Sequence, residues 1–143
     1  MAHSFQILRR PHVLASATAV LLGLSCQLAQ AASLTLTGEQ EVPPVVVSGK
    51  ATGEVNVAAD GMVSGMVTTQ GVNGTMAHIH QGAMGQNGPI IVNLVHGDNG
   101  VWRVPPMTKL TTEQMAAFRA SGLYVNVHTA ANKGGEVRAQ IVY

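Results

Sequence analysis

The feature that most constrains the fold of this chain is a series of short apolar or alternating runs separated by turn residues. The turns are rich in Gly, Pro, Asn and Asp and recur at regular intervals. Antiparallel strands produce this pattern, because successive side chains of a strand point to opposite faces of its sheet. The predicted strands are residues 33–37, 50–58, 62–69, a segment around 76–80, 90–95, 101–104, 123–129 and 136–143.

One segment follows a helical pattern instead. Thr111 precedes it and Gln114 lies three residues later, as in a capping box. Gly122 suits the C-terminal end of a short helix. Seven or eight short strands with one connecting helix predict an all-β fold, an antiparallel β-sandwich or flattened barrel.

The beginning of the chain has the pattern of an export signal. Two arginines precede an apolar segment, residues 13–26, that is too short to span a bilayer. Residues 29–31, Ala-Gln-Ala, have the form of a cleavage site. We expect residues 1–31 to be a signal peptide and residues 32–143 to be one periplasmic or secreted domain. A membrane anchor, a lipoprotein attachment at Cys26 and twin-arginine export are the alternatives.

The composition of residues 32–143 excludes several classes of function. Six basic and seven acidic side chains give a net charge of −1 with His neutral. The sequence has no stripe of basic residues, so we do not expect nucleic-acid binding. Cys26, the only cysteine, lies in the predicted signal peptide, so the domain has neither a disulfide nor a thiolate ligand. Any metal site must therefore use imidazole, thioether or oxygen donors. No membrane span is expected in the domain.

The sequence His-Ile-His is the main candidate for a functional site. In a strand, His78 and His80 would lie on one face, about 7 Å apart along the backbone. Two such rings can converge on one ion, because metal–nitrogen bonds are about 2 Å long. A glycine-rich turn at residues 82–88 follows, and then an apolar run, residues 89–95, that predicts a buried strand.

Two further histidines extend this candidate site. His128 lies on a late predicted strand, and His96 lies at the end of the apolar run. Neutral imidazole is the commonest metal ligand in proteins. Four nitrogen donors suit Cu(II) in a tetragonal arrangement and Zn(II) in a tetrahedral one. We predict a metal site of His78, His80, His128 and His96 for copper, with zinc as the alternative. Histidines that serve only packing stay an open interpretation, above all for His96.

Two other side chains are candidates for supporting roles. Met84, four residues after His80, carries a thioether, which favours Cu(I), although methionine commonly fills cores. Glu136 lies on the strand predicted to pair with that of His128, where it could hydrogen-bond the distal nitrogen of a ligand histidine. A solvated edge carboxylate is the other interpretation of Glu136. No serine stands in a nucleophile elbow, so the sequence predicts no catalytic residue.

Five segments resemble the chordin-type (CHRD) domain, which also occurs singly in bacterial exported proteins. The resemblance runs in the family's order over nearly all of residues 32–143. Ala139 stands where the family usually has Gly, and His96 and Met84 are not general family features. The matching segments are LTGEQEVPP at 36–44, AHIH at 77–80, GQNGP at 85–89, YVNVHT at 124–129 and GEVRAQI at 135–141.

The resemblance implies a secreted β-sandwich with His78, His80 and His128 at characteristic positions. The order H-x-H, a single His and a late V-x-V-H is also similar to the copper ligands of copper/zinc superoxide dismutase. Those enzymes are Greek-key sandwiches of the immunoglobulin-like kind. Their zinc-loop ligands and their disulfide have no counterpart here, which leaves a metal-bridging histidine unsupported.

From these patterns we expect an exported copper-binding protein that stores, buffers or delivers copper. Whether it is also an enzyme stays open, with a non-catalytic binding protein favoured. Its expected partner is a metal ion, and no protein partner can be identified from the sequence. The alternatives are a non-catalytic structural or protein-interaction module and a dismutase-like copper redox enzyme.

Overall fold

The computed structural model describes residues 30–143, in which nine strands and one α-helix are formed. The predicted signal peptide lies outside the described residues except for its last two, and it stays a prediction. The elements are β1 (Gln30–Leu36), β2 (Lys50–Val57), β3 (Val63–Gln70), β4 (Gly74–Gln81), β5 (Ile90–Asn93), β6 (Val95–His96), β7 (Val101–Arg103), α1 (Thr112–Arg119), β8 (Leu123–Thr129) and β9 (Val137–Ile141).

The strands form two antiparallel sheets, as an all-β sandwich requires. Sheet A has the order β1-β2-β3-β7-β6, and sheet B has the order β5-β4-β8-β9. Backbone hydrogen bonds in both directions between Thr37 and Arg138 also join the end of β1 to β9. The predicted fold class is confirmed. In the described residues, no helix is long and apolar enough to cross a membrane.

The core lies between the sheets and follows the period-two alternation of the strands. Inward-facing side chains of both sheets are almost fully buried, because each strand directs every second residue to the same face. Sheet A contributes Leu34, Leu36, Ala51, Val55, Val57, Val67 and Trp102, and sheet B contributes Ala77, Ile79, Val125, Val127, Val137, Ala139 and Ile141.

Strands β8 and β9 and the second half of β4 are buried on their second face as well. Every residue of β8 and β9 is buried, including the polar ones. The side chains on this outer face are His78, His80, Tyr124, Asn126, His128, Arg138 and Gln140. Hydrogen bonds join them to the turn after β4 and to the turn between β8 and β9. These loops, with the segment after β1, form a cover over a polar layer.

The apolar run at residues 89–95 does not form the single buried strand that its composition predicts. It divides into β5 of sheet B and β6 of sheet A, and the chain crosses between the sheets at Leu94. The amide of Leu94 donates to the carbonyl of Ala77 at 2.9 Å. Ile90 and Val95 are about half exposed. Both halves of the run are extended and apolar, so sequence periodicity cannot reveal the crossing.

The predicted hairpin between β2 and β3 is present, with a looser turn than Asp60 and Gly61 suggest. The amide of Gly61 donates to Ala58, whose own amide donates to Met62, so the loop has three residues. Gly61 has a φ of +88°, which is the left-handed conformation that this loop type requires.

The capping box of α1 is confirmed. The Thr111 hydroxyl accepts from the amide of Gln114 at 3.2 Å, and the Gln114 side chain accepts from the amide of Thr111 at 2.9 Å. At the other end, Ser121, with a φ of +52°, takes the left-handed position expected of Gly122. Gly122 instead donates its amide to Ala117 at 2.7 Å, completing a Schellman motif.

Candidate metal centre

Three of the four predicted histidines come together on the outer face of sheet B. His78 and His80 lie on β4, and His128 lies on the neighbouring strand β8. The ring centroids are 4.8 to 6.0 Å apart. One ring nitrogen from each residue lies within 4.8 Å of the other two, and the side chains are only 6–7% exposed. We call these three residues the histidine cluster.

His96 does not join the histidine cluster. It lies exposed on β6 in sheet A, where its ring stacks on Trp102 with a centroid separation of 4.4 Å. The crossing at Leu94 moves the chain to the other sheet before His96 is reached. The position of His96 therefore does not support its predicted role as a fourth ligand of this site.

The two predicted supporting residues also lie elsewhere. Met84 is 74% exposed and lines a cavity of about 340 Å³ together with Glu41 and Arg138, and the cluster histidines are not part of that lining. Glu136 accepts hydrogen bonds from Thr129 at 2.6 Å and from Asn132 at 3.1 Å. Thr129 ends β8 and Asn132 lies in the turn between β8 and β9, so Glu136 orders that turn instead of a histidine ring.

Backbone carbonyls fix the tautomers of two cluster histidines. Nδ1 of His80 lies 2.9 Å from the carbonyl oxygen of Gly88, and Nδ1 of His128 lies 2.9 Å from that of Lys133. A carbonyl oxygen can only accept, so each Nδ1 carries the proton and each Nε2 of a neutral ring keeps its lone pair. The carbonyls of Gly88 and Lys133 thus orient these rings, which is the role that the sequence predicted for Glu136.

The lone pairs of these two rings have different surroundings. Nε2 of His128 lies 2.9 Å from Nδ1 of His78, which must be the donor of this bond. Nε2 of His80 is buried and has no hydrogen-bond partner. A buried polar atom left unpaired in this way costs about 1–3 kcal/mol, which is a reason to look for a missing ligand.

The donor positions fit one metal ion with little movement. Two nitrogens 2.9 Å apart subtend roughly 90° at an ion with bonds of about 2.0–2.1 Å. Ligands of one such ion are at most about 4.2 Å apart, so a separation of 4.8 Å between cluster nitrogens must close by at least roughly 0.6 Å. The proton on Nδ1 of His78 must also move to Nε2 before that nitrogen can bind a metal.

The electrostatic environment favours the neutral form of His78 and His80. Burial and, to a smaller extent, the neighbouring His128 and His80 lower the pKa of His78 to about 4. Burial also lowers the pKa of His80, against the opposing effect of its hydrogen bond to Gly88. His78 and His80 are therefore neutral at pH 7, in the protonation state that binds metals.

A stack of three side chains holds the turn that orients His80. The rings of His80 and Tyr124 are parallel within 8° with centroids 4.8 Å apart, and the guanidinium of Arg138 lies 3.5 Å from the centre of the Tyr124 ring. The Tyr124 hydroxyl accepts from the amide of Gly88 at 3.1 Å, and Arg138 donates to the carbonyl of Gln86 at 2.9 Å. Both therefore position the Gly88 carbonyl.

Sequence reasoning missed Tyr124 and Arg138. A signal for Tyr124 was present, because it shares the polar face of its predicted strand with Asn126 and His128. Arg138 gave no such signal, because a charged residue between the core positions Val137 and Ala139 is normally predicted to face solvent. Only the covering turn makes it 1% exposed.

The polar layer also contains a buried carboxyl group. Burial raises the pKa of Glu41 to about 7, with the nearby Arg138 and Asn126 opposing the shift. Glu41 packs on the backbone of Gly135, where a Cβ atom would overlap the carboxyl group. In the described residues, the unpartnered buried side-chain atoms of this layer are Glu41 Oε1, His80 Nε2 and Asn126 Oδ1.

We expect His78 to make folding stability fall as the pH decreases from 6.5 to about 4. Its pKa of about 4 in the folded chain lies below the ordinary value of 6.5, so the unfolded state binds more protons in this window. The contribution is complete above pH 6.5. A His78→Asn variant, which keeps a donor near His128, should reduce the slope by on the order of 1 kcal/mol per pH unit, as measured by urea unfolding.

Glu41 changes folding stability with pH in the opposite direction to His78, so it must be controlled in this measurement. Its pKa, raised from 4.5 to about 7, means that the folded chain binds more protons between these values, so stability rises as the pH falls through that range. The comparison is therefore best made in a Glu41→Gln background. An unchanged slope in the His78→Asn variant would show that His78 is not held neutral by burial.

We expect Arg138→Met to loosen the turn that carries Gly88. The variant leaves the carbonyl of Gln86 without its donor and removes the cation from the Tyr124 ring, at a cost of roughly 2–4 kcal/mol. Hydrogen exchange at the Gly88 amide should accelerate. Lys133→Met, which removes an exposed cation nearby, should change stability by less than about 0.5 kcal/mol. Equal effects of the two substitutions would contradict the proposed role of Arg138.

Comparison with known proteins identifies the family. A family model described as the CHRD domain matches residues 32–141, which include the histidine cluster and the residues that orient it. No curated protein and no solved structure matches the chain significantly. The match covers nearly the whole of the described sandwich. The chain therefore belongs to the CHRD domain family.

Proposed function

We propose that this chain is an exported copper-binding protein that stores, buffers or delivers copper through His78, His80 and His128. The observation that carries the proposal is the cluster itself, in which one nitrogen from each of three buried imidazoles lies within 4.8 Å of the others. Two of these rings have lone pairs directed by backbone carbonyls. Such preorganisation favours affinity, because little ordering remains to be done on binding.

Copper is favoured over zinc by the donor set. The donors are neutral nitrogens without a carboxylate in the cluster. Copper exceeds zinc in intrinsic affinity for nitrogen sites.

The unpartnered nitrogen of His80 supports a metal ligand. His80 Nε2 is buried without a hydrogen-bond partner, as are Glu41 Oε1 and Asn126 Oδ1 in the same layer. An ion bound at His80 would satisfy the one nitrogen among these atoms. Export to the periplasm or beyond is the other part of the proposal and rests on the sequence of residues 1–31.

We expect the purified chain, freed of metal, to bind one Cu(II) ion at pH 7 in isothermal titration calorimetry. Single variants His78→Asn, His80→Asn and His128→Asn should each weaken binding by at least about 100-fold, because each removes one ligand. His96→Asn is the matched control and should bind within about twofold of the parent chain, since His96 lies in sheet A. The same titrations with Zn(II) compare the two metals.

Two outcomes of these titrations would contradict the proposal. One is copper binding that survives all three cluster substitutions, and the other is binding that depends on His96 alone. Binding should also raise thermal stability, by about 2.7 kcal/mol at a free copper concentration 100 times Kd, because the ion binds the folded chain only.

A non-catalytic structural or interaction module is the second candidate function. One observation favours it: the bond between His78 and His128 and the bonds to Gly88 and Lys133 already use four of the six ring nitrogens of the cluster. The histidines would then link strands and loops. A chain that gains no thermal stability from copper or zinc would support this function over the first.

A further inference from the structure

We propose that the thioether of Met76 is a further ligand at the exposed end of the histidine cluster and makes the site prefer Cu(I) to Cu(II). The inference rests on the proposed metal function and specifies its ion. Sequence reasoning favoured Met84 as the soft ligand because it follows His80 closely. The fold places a different methionine beside the histidines.

The register of sheet B puts Met76 on the same face as the cluster. Met76, His78 and His80 are alternate residues of β4, while the intervening Ala77 and Ile79 face the core. Met76 is also the direct cross-strand partner of His128. Cross-strand partners have Cβ atoms about 4.5–5.5 Å apart, so a flexible methionine side chain reaches the cluster from this position.

Met76 is the exposed neighbour of the histidine cluster along β4. His80 is covered by the turn at Gly88 and His128 by the turn at Lys133, whose carbonyls bind their rings. Met76 is 50% exposed, whereas the cluster histidines are 6–7% exposed. The side chain therefore makes little contribution to the core and lies where an ion would arrive from solvent.

The chemistry of this donor set favours a monovalent soft ion. Three imidazoles and one thioether are all neutral, so none of them offsets the charge of a buried ion. The cost of burying an ion rises with the square of its charge, which favours Cu(I) over Cu(II) or Zn(II). Thioethers in turn select Cu(I). Met76 is the only methionine in the strands of sheet B in the part of the chain that the structure describes.

The test compares Met76→Leu with Met84→Leu as the matched control. Cu(I) affinity is measured in the absence of oxygen by competition with a chromophoric Cu(I) chelator, and Zn(II) affinity by calorimetry. We expect Met76→Leu to weaken Cu(I) binding by at least about tenfold, with Zn(II) binding changed less than about twofold. Met84→Leu should bind both ions like the parent chain, since Met84 lies in a turn outside the cluster.

X-ray absorption at the copper edge gives a second readout. The parent chain loaded with Cu(I) should show a sulfur scatterer at about 2.3 Å, and Met76→Leu should lack it. Retention of both the sulfur signal and the Cu(I) affinity by Met76→Leu would overturn the inference while leaving copper binding intact. A parent chain that binds neither ion would overturn the proposed function and this inference together.

Discussion

The burial of β8, β9 and the second half of β4 on both faces of sheet B is the constraint on which the rest of the structure depends. Its inner face packs in the core, whereas its outer face carries three histidines, a tyrosine, an asparagine, an arginine and a glutamine. Buried polar groups are expensive unless they are hydrogen-bonded. The covering loops meet this requirement mainly with backbone carbonyls, which accept from His80, His128, Arg138 and Gln140. The cover and the layer therefore order each other.

This mutual ordering is what turns three histidines into a preorganised set of donors. A carbonyl on each of two rings directs the lone pair of the opposite nitrogen, and burial lowers the pKa values of His78 and His80. The acceptors that remain unpartnered, on Glu41, His80 and Asn126, are concentrated in the same layer. Buried imidazoles whose lone pairs are directed by backbone carbonyls are suited to holding a metal ion.

Local patterns of the sequence predicted most of the fold and the centre of the candidate site. Alternation located the strands, the capping box located α1, and the spacing of His78 and His80 with His128 on a neighbouring strand predicted the cluster. The errors concern information that is not local. His96 was misplaced because an extended apolar run contains no mark of a crossing between sheets. The preference for Met84 over Met76 used distance along the chain, whereas proximity across a sheet depends on register. Arg138 could not be recognised as buried because its cover comes from a turn 52 residues away.

The central claim is that the histidine cluster holds a copper ion, and locating the ion tests it most directly. Crystals of the chain grown with copper would give an anomalous difference map at the copper absorption edge. We predict one peak within about 2.0–2.1 Å of Nδ1 of His78, Nε2 of His80 and Nε2 of His128. A map with no peak among these three nitrogens, or with its only peak beside His96, would contradict the claim.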